Sequence, residues 1–202
     1  MSLWEQAAQC YRDAGAHAEA ARCYGRAGLF RQAADLYLEI GDPASAVPMF
    51  ERATEQHQAG WLLVHVLDRP ADARACLARH TPPPAPAPPA VWSAPILLRQ
   101  LVEARCDIAE RARDTAALAT LLNVQEALAG PDPVSDVRVT EWATSVAKGM
   151  GRMDQAALVH AAAVRGRRPG ARQRFITWAA AEFGTPIVLP PDPEPAVAGR
   201  AA

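Results

Sequence analysis

The chain has 202 residues, half of them hydrophobic, and a formal net charge of −1. That length and composition allow one large domain or two small ones with a genuine core. They exclude a chain whose overall charge would carry it to nucleic acid or to a membrane surface.

The first predicted elements come from an internal repeat. Residues 3–15, 16–28, 29–41 and 42–54 align as four 13-residue units. One column is aromatic: Tyr11, Tyr24, Tyr37 and Phe50. Four residues earlier stand Ala7, Ala20, Ala33 and Ala46, and the next column reads Ala8, Ala21, Ala34 and Val47. Three residues after the aromatic come Ala14, Ala27, Ile40 and Ala53. This i, i+1, i+4, i+7 spacing is one face of a helix. Asp13, Arg26, Glu39 and Arg52 share a column on the solvent side. Gly15, Gly28 and Gly41 close three units, as the left-handed position past a helix C-terminus favours. Asp42 then reads as an N-cap and Pro43 as the first helical residue. Each unit is therefore one short helix, antiparallel to its neighbours, with the four aromatics as repeat core.

Residues 57–67 supply a fifth helix, and 68–80 a sixth that resembles the fourth unit. Residues 81–90, TPPPAPAPPA, exclude a helix or central strand and predict an extended polyproline strut. Trp92 follows it, an exposed aromatic or a peg joining the two halves. Ile96, Leu97, Leu101, Val102, Ile108, Ala109 and Ala112 stripe a helix over about 95–113. Asp114 caps the next, striped by Leu118, Leu121, Leu122, Gln125 and Leu128 and stopped at Gly130-Pro131. A third places Val139, Ala143, Val146 and Met150 on one face. GRMDQAALVHAAAVRG, 151–166, echoes GLFRQAADLYLEIG, 28–41, with His160 in the place of Tyr37. A last helix over about 170–183 buries Phe175, Ile176, Ala179 and Phe183, and Ile187 to Leu189 give the tail one apolar grip. The expected organisation is a helical-repeat domain over 1–80, a proline-rich linker over 81–94, a helical domain over 95–184 and an extended or disordered tail over 185–202. The fold class is all-α: an α-solenoid of short antiparallel helices, then a second helical bundle.

Trp4 to Arg52, with its AAxxYxxAG phrasing as in AARCYGRAG, resembles tetratricopeptide and SNAP-like helical repeats over roughly the first 80 residues. Two units here span 26 residues, against about 34 in a tetratricopeptide repeat. The resemblance implies an interaction scaffold that binds proteins. Residues 151–183, running on into RFITWAAAEFGTPIVLP, are similar to helical components of bacterial systems built on an ATPase and a von Willebrand A-domain protein. That similarity implies a subunit or regulator of an ATPase assembly.

No glycine-rich nucleotide loop, GxSxG elbow or zinc-spaced Cys or His set is present. Cys10 and Cys23 share a packing slot with Leu36 and Met49, so buried free thiols are expected. The expectation is no enzyme, no catalytic residue, no metal and no cofactor. The amino terminus lacks the basic and apolar regions of a signal peptide. The most apolar window, 61–67, is far short of the about 20 residues that cross a bilayer, so no membrane partner and a cytoplasmic location are expected. Only one of the 21 basic residues is lysine, the mark of a GC-rich, bacterial sequence. RGRRPGARQR gathers Arg165, Arg167, Arg168, Arg172 and Arg174 without an acid. It is either an anion or acidic-partner contact or a solvated loop. Function then divides between a protein-binding adaptor, a nucleic-acid or phosphate binder using this cluster, and an enzyme with a site between the halves.

Overall fold

The computed structural model describes residues 1–79, 92–111, 115–130 and 134–190. The strut at 81–90, His80, Ala112, the cap at Asp114, the stop at Pro131 and the tail beyond 190 lie outside these residues. The described chain is all-α and has no strand. Its helices are α1 (Leu3–Asp13), α2 (His17–Arg26), α3 (Phe30–Glu39), α4 (Pro43–Arg52), α5 (Gln56–Trp61), α6 (Pro70–Ala78), α7 (Ala94–Ala109), α8 (Thr115–Ala129), α9 (Val137–Gly149), α10 (Met153–Arg165) and α11 (Ala171–Phe183). From α1 to α7 each helix packs on the next. Helices α7 to α10 then form a cluster in which α7 and α10 each touch both α8 and α9.

The short helices start where local chemistry stops the chain before them. Ser2 and Glu5 form a capping box on α1. Asp42 accepts from the Ser45 N–H at 3.0 Å, and Pro43 opens α4. Successive helices are joined by three residues of nearly constant backbone: a helical C-cap, a left-handed residue and an N-cap near φ −100°, ψ +65°. Ala14-Gly15-Ala16, Ala27-Gly28-Leu29, Ile40-Gly41-Asp42 and Ala53-Thr54-Glu55 are four examples. Met150-Gly151-Arg152 repeats the form between α9 and α10. The N–H after each left-handed residue closes the helix end by reaching back to the carbonyl of Tyr11, Tyr24, Tyr37 or Phe50 at 2.8–2.9 Å. The aromatic column thus supplies the last bonded turn as well as the packing side chain.

Thr54 stands where the other units have glycine, at φ +60°. A left-handed backbone costs an L-residue about 1–2 kcal/mol, and a β-branched one is a rare occupant. Replacing Thr54 with glycine should stabilise the chain by roughly 0.5–1 kcal/mol after glycine's own entropy cost. A thermal melt checks it, with an expected rise in Tm of about 1–4 °C.

The expected fifth helix, 57–67, divides. α5 ends at Trp61 and a π-turn, Leu62–Val66, follows. The N-caps Ala16, Leu29, Asp42 and Glu55 stand 13 residues apart, and Arg69 comes 14 after Glu55. The π-turn takes up that extra residue, and the left-handed position moves with it to Asp68, at φ +53°.

Tyr24 and Phe50 are buried and Tyr37 is half-buried, but Tyr11 is 44 % exposed. The slots of Ala7, Cys10 and Tyr11 face where a preceding helix would lie, and α1 has none among the described residues. Cys10 is accordingly exposed, against the expectation of a buried thiol, while Cys23, Cys76 and Cys106 are buried. Burial pushes the Cys76 and Cys106 thiols up to about 11.

The core runs without a break from Ala34 on α3 to Ala171 on α11. Trp61 of α5 and Trp142 of α9 stack at 4.3 Å between centroids, 3° from parallel, and both are buried. Trp92 is half-buried and packs on the same core, as a peg would. Arg74 of α6 grips Asp107 and Glu110 at the end of α7 at 2.6 and 2.8 Å. On α8 the buried stripe is Ala117, Leu121, Val124 and Leu128, while Leu122 is 54 % exposed. The expected stripe through Leu118, Leu122 and Gln125 is turned by about one position, and Ala117 and Val124 face the core instead. On α11 only Ala171 and Ala179 are buried, Phe183 is exposed, and Val188 of the expected apolar grip is 94 % exposed.

Candidate functional site

Helices α9, α10 and α11 enclose a groove of about 410 Å³, lined by Thr144, His160, Gln173, Arg174, Thr177 and Trp178. Its wall is aromatic. His160 stacks on Trp178 at 4.7 Å and on Phe175 at 5.5 Å, and Phe183 meets Trp178 edge-on at 5.6 Å. Phe175 and Trp178 stand three apart on α11, so one turn aims both at α10. The left-handed Gly170 and Gly184 bound that helix.

The polar groups are set by burial. The Thr144 hydroxyl donates to the Thr140 carbonyl at 2.8 Å, one turn back on α9. Its single proton is then used, so at 3.2 Å it accepts from the Nε2–H of His160. This fixes the tautomer and leaves Nδ1 as an acceptor. Burial, and secondly the Arg174 charge, push the His160 pKa down to about 4. His160 is neutral across the physiological range.

Two donors lack an acceptor. The Nε of Arg174 and the Nε1 of Trp178 are buried and have no hydrogen-bond partner. Buried N–H groups without a partner are rare in folded chains. Both side chains line the groove, with these two nitrogen atoms themselves covered. The site can receive an apolar or planar group on its rings, and an oxygen acceptor reaches these covered donors once the Arg174 or Trp178 side chain turns. The second groove, between α4, the π-turn and α6, makes no such demand. Its arginines are paired within it, Arg69 with Asp72 at 2.6 Å and Arg79 with Glu51.

The structure separates the five arginines read as one cluster. Arg165 and Arg167 are exposed. Arg168 points at the C-terminus of α8, its Nε 3.5 Å from the Leu128 carbonyl, where a cation meets the helix dipole favourably. Arg172 donates to the carbonyls of Leu189 and Pro190 at 3.2 and 2.6 Å, tying down the chain after α11. Arg174 alone enters the groove. The sequence signal that was missed is the polar pair Thr140 and Thr144 on the buried face of α9, matched to His160 one helix on.

Comparison of the chain with protein-family models, with curated proteins and with solved structures finds no match. Among the described residues no helix is long and apolar enough to cross a membrane, and no group of three His, Cys, Asp or Glu is placed to hold a metal.

His57 and His65 are also held below their usual pKa, chiefly by burial and secondly by Arg138 and Arg105. With His160 they make folding acid-sensitive in a defined window. The unfolded chain takes up these protons as pH falls through about 6.5, while folded His160 resists to about 4. Stability is therefore full above pH 6.5 and falls below it. Between pH 7.5 and 5, His160 should account for about 1–2 kcal/mol of that loss. Urea unfolding at the two pH values checks this, and His160→Gln should flatten the dependence by that share.

Proposed function

We propose that the chain is a non-enzymatic interaction scaffold in which the α9–α11 groove receives a segment of a protein partner. The observation that carries this reading is an aromatic wall, His160 on Trp178, beside two covered donors without a partner, Arg174 Nε and Trp178 Nε1. A partner's carbonyl or carboxylate satisfies the donors, and its apolar side chain covers Trp178 and His160. The 13-residue spacing of the first helices and their shared connections support a tetratricopeptide-like α-solenoid. In this reading the chain is a subunit or regulator of a larger bacterial assembly, such as the ATPase systems that its sequence resembles. The nucleic-acid reading rests after folding on Arg165 and Arg167, since Arg168, Arg172 and Arg174 point at the chain itself or into the groove.

The test is capture by the tagged chain from its native host, with and without nuclease, in wild type and two variants. A stoichiometric protein that survives nuclease, is kept by Arg167→Ala and is lost by Trp178→Ala supports the groove. Partners lost with nuclease, or with Arg167→Ala alone, overturn it in favour of nucleic acid.

A further inference from the structure

Among the arginines of the first helices, two stand out by lying over a ring without holding an acid. Arg22, Arg31, Arg69, Arg74 and Arg79 each hold an acid, at distances such as 2.7 Å for Arg22–Glu19 and 2.6 Å for Arg31–Glu55, and Arg31 also lies 5.5 Å from the ring centre of Phe50. Arg26 and Arg52 hold none among the described residues. Each lies over an aromatic ring: Arg26 4.7 Å from the ring centre of Trp4, and Arg52 4.1 Å from that of Phe30. Arg52 follows Arg26 by 26 residues, and Phe30 follows Trp4 by 26. The same contact is thus made twice, on the α1–α2 hairpin and again on α3–α4.

A guanidinium held over a ring gives its face to the ring and keeps its N–H edge for a planar anion. The stacking also removes part of the freedom that a long side chain loses on binding. Both arginines line one groove of about 360 Å³, beside Arg22, whose charge Glu19 already meets at 2.7 Å. Its floor is Tyr37 and Met49, opened by Gly25, where a side chain would begin 3.4 Å from the Met49 sulfur. Two preset cations over an apolar floor suit carboxylates spaced by an apolar residue. A nucleic-acid backbone would want a longer basic track and flat bases stacked on rings, and here the cations occupy the rings.

We propose that the groove between α2, α3 and α4 binds an acidic peptide segment, with Arg26 and Arg52 each gripping one side-chain carboxylate and Tyr37 and Met49 taking an intervening apolar side chain. This site is separate from the α9–α11 groove and does not depend on it.

The probe is a fluorescent peptide of alternating glutamate and leucine, blocked at both ends so that only side-chain carboxylates are offered. Its anisotropy is read against the full-length chain at low and physiological salt. Affinity should fall about tenfold or more when Arg26→Gln and Arg52→Gln are combined, since two charge-assisted contacts are lost. It should fall several-fold even in Arg26→Lys with Arg52→Lys, which keeps the charge but not the fork. The matched glutamine–leucine peptide should bind about tenfold more weakly than the glutamate one. The side-chain Nε–H signals of Arg26 and Arg52 in the wild-type chain should shift on titration, a readout that needs no variant to fold. No binding, equal binding by the glutamine variant, unmoved arginine signals, or displacement of the peptide by single-stranded oligonucleotide at lower concentration would each overturn the proposal.

Discussion

Replacing Trp142 with alanine should lower the stability of the chain by about 3–5 kcal/mol, the cost of removing a buried large aromatic. Tm should fall by about 10 °C or more. The reason lies in what the indole joins. It stacks on Trp61 at 4.3 Å and meets His57 at 6.4 Å, so a residue of α9 lies against α5. Parallel rings of this kind add about 0.5–1.5 kcal/mol beyond the area they bury. Loss of the pair weakens the coupling of helices on both sides of the proline-rich stretch, which the α5–α7 and α6–α7 packing and the Arg74 ion pairs still join. Melting followed by circular dichroism should therefore show one transition in the wild type and a broadened or split one in Trp142→Ala. Trp4→Ala is the control. That ring is 45 % exposed and stacks only on Arg26, so its removal should cost under about 1 kcal/mol. A Trp142 variant as stable as the Trp4 variant would show that the stack of Trp61 on Trp142 does not help hold the two sets of helices together.

The second large effect is expected at Gly166, the C-cap of α10. A side-chain carbon there would lie 1.9 Å from the Leu128 carbonyl oxygen and 3.0 Å from its carbon, both backbone atoms of α8. Neither can move without shifting a helix end. Gly166→Ala should therefore cost about 3 kcal/mol, at the upper end of overpacking penalties. Tm should drop by about 6–12 °C. The same close approach explains Arg167. At Gly15, Gly28, Gly41 and Gly151 the glycine takes the left-handed residue, but here it is needed one position earlier, and Arg167 is left at φ +52°. Arg167→Gly should raise stability slightly, opposite in sign to its neighbour's change. If both substitutions are neutral, α8 and α10 do not pack as closely at this corner as described.

These residues show where a sequence is legible and where it is not. The helices over 3–52 follow from the alanine and aromatic columns, because a helix writes its contact face at fixed spacing. Gly15, Gly28 and Gly41 were readable for the same reason. Thr54 and Arg167 were not, since a left-handed residue without glycine leaves no mark in composition. The division at Trp61 was unreadable because a π-turn keeps the apolar run intact. The groove was hidden for a different reason. Thr144, His160, Arg174 and Trp178 lie on three helices, and no spacing along the chain records which turns face each other. The arginine cluster misled in the opposite way: adjacent in sequence, its members face an α8 terminus, the segment after α11, a groove and solvent.

The π-turn has a consequence for how the chain tolerates changes in length. One residue added to a regular helix turns everything after it by about 100°. Without compensation, Ala73, Cys76 and Leu77 of α6 would leave the core they now fill. The widened turn at Leu62–Val66 confines the surplus to a single loop of the helix, and the next start signal, Arg69-Pro70, is met in phase. A deletion of one residue within 62–66 would be absorbed in reverse, closing the turn into ordinary helix. The same deletion in α2 or α3 would break a thirteen-residue step that has no slack.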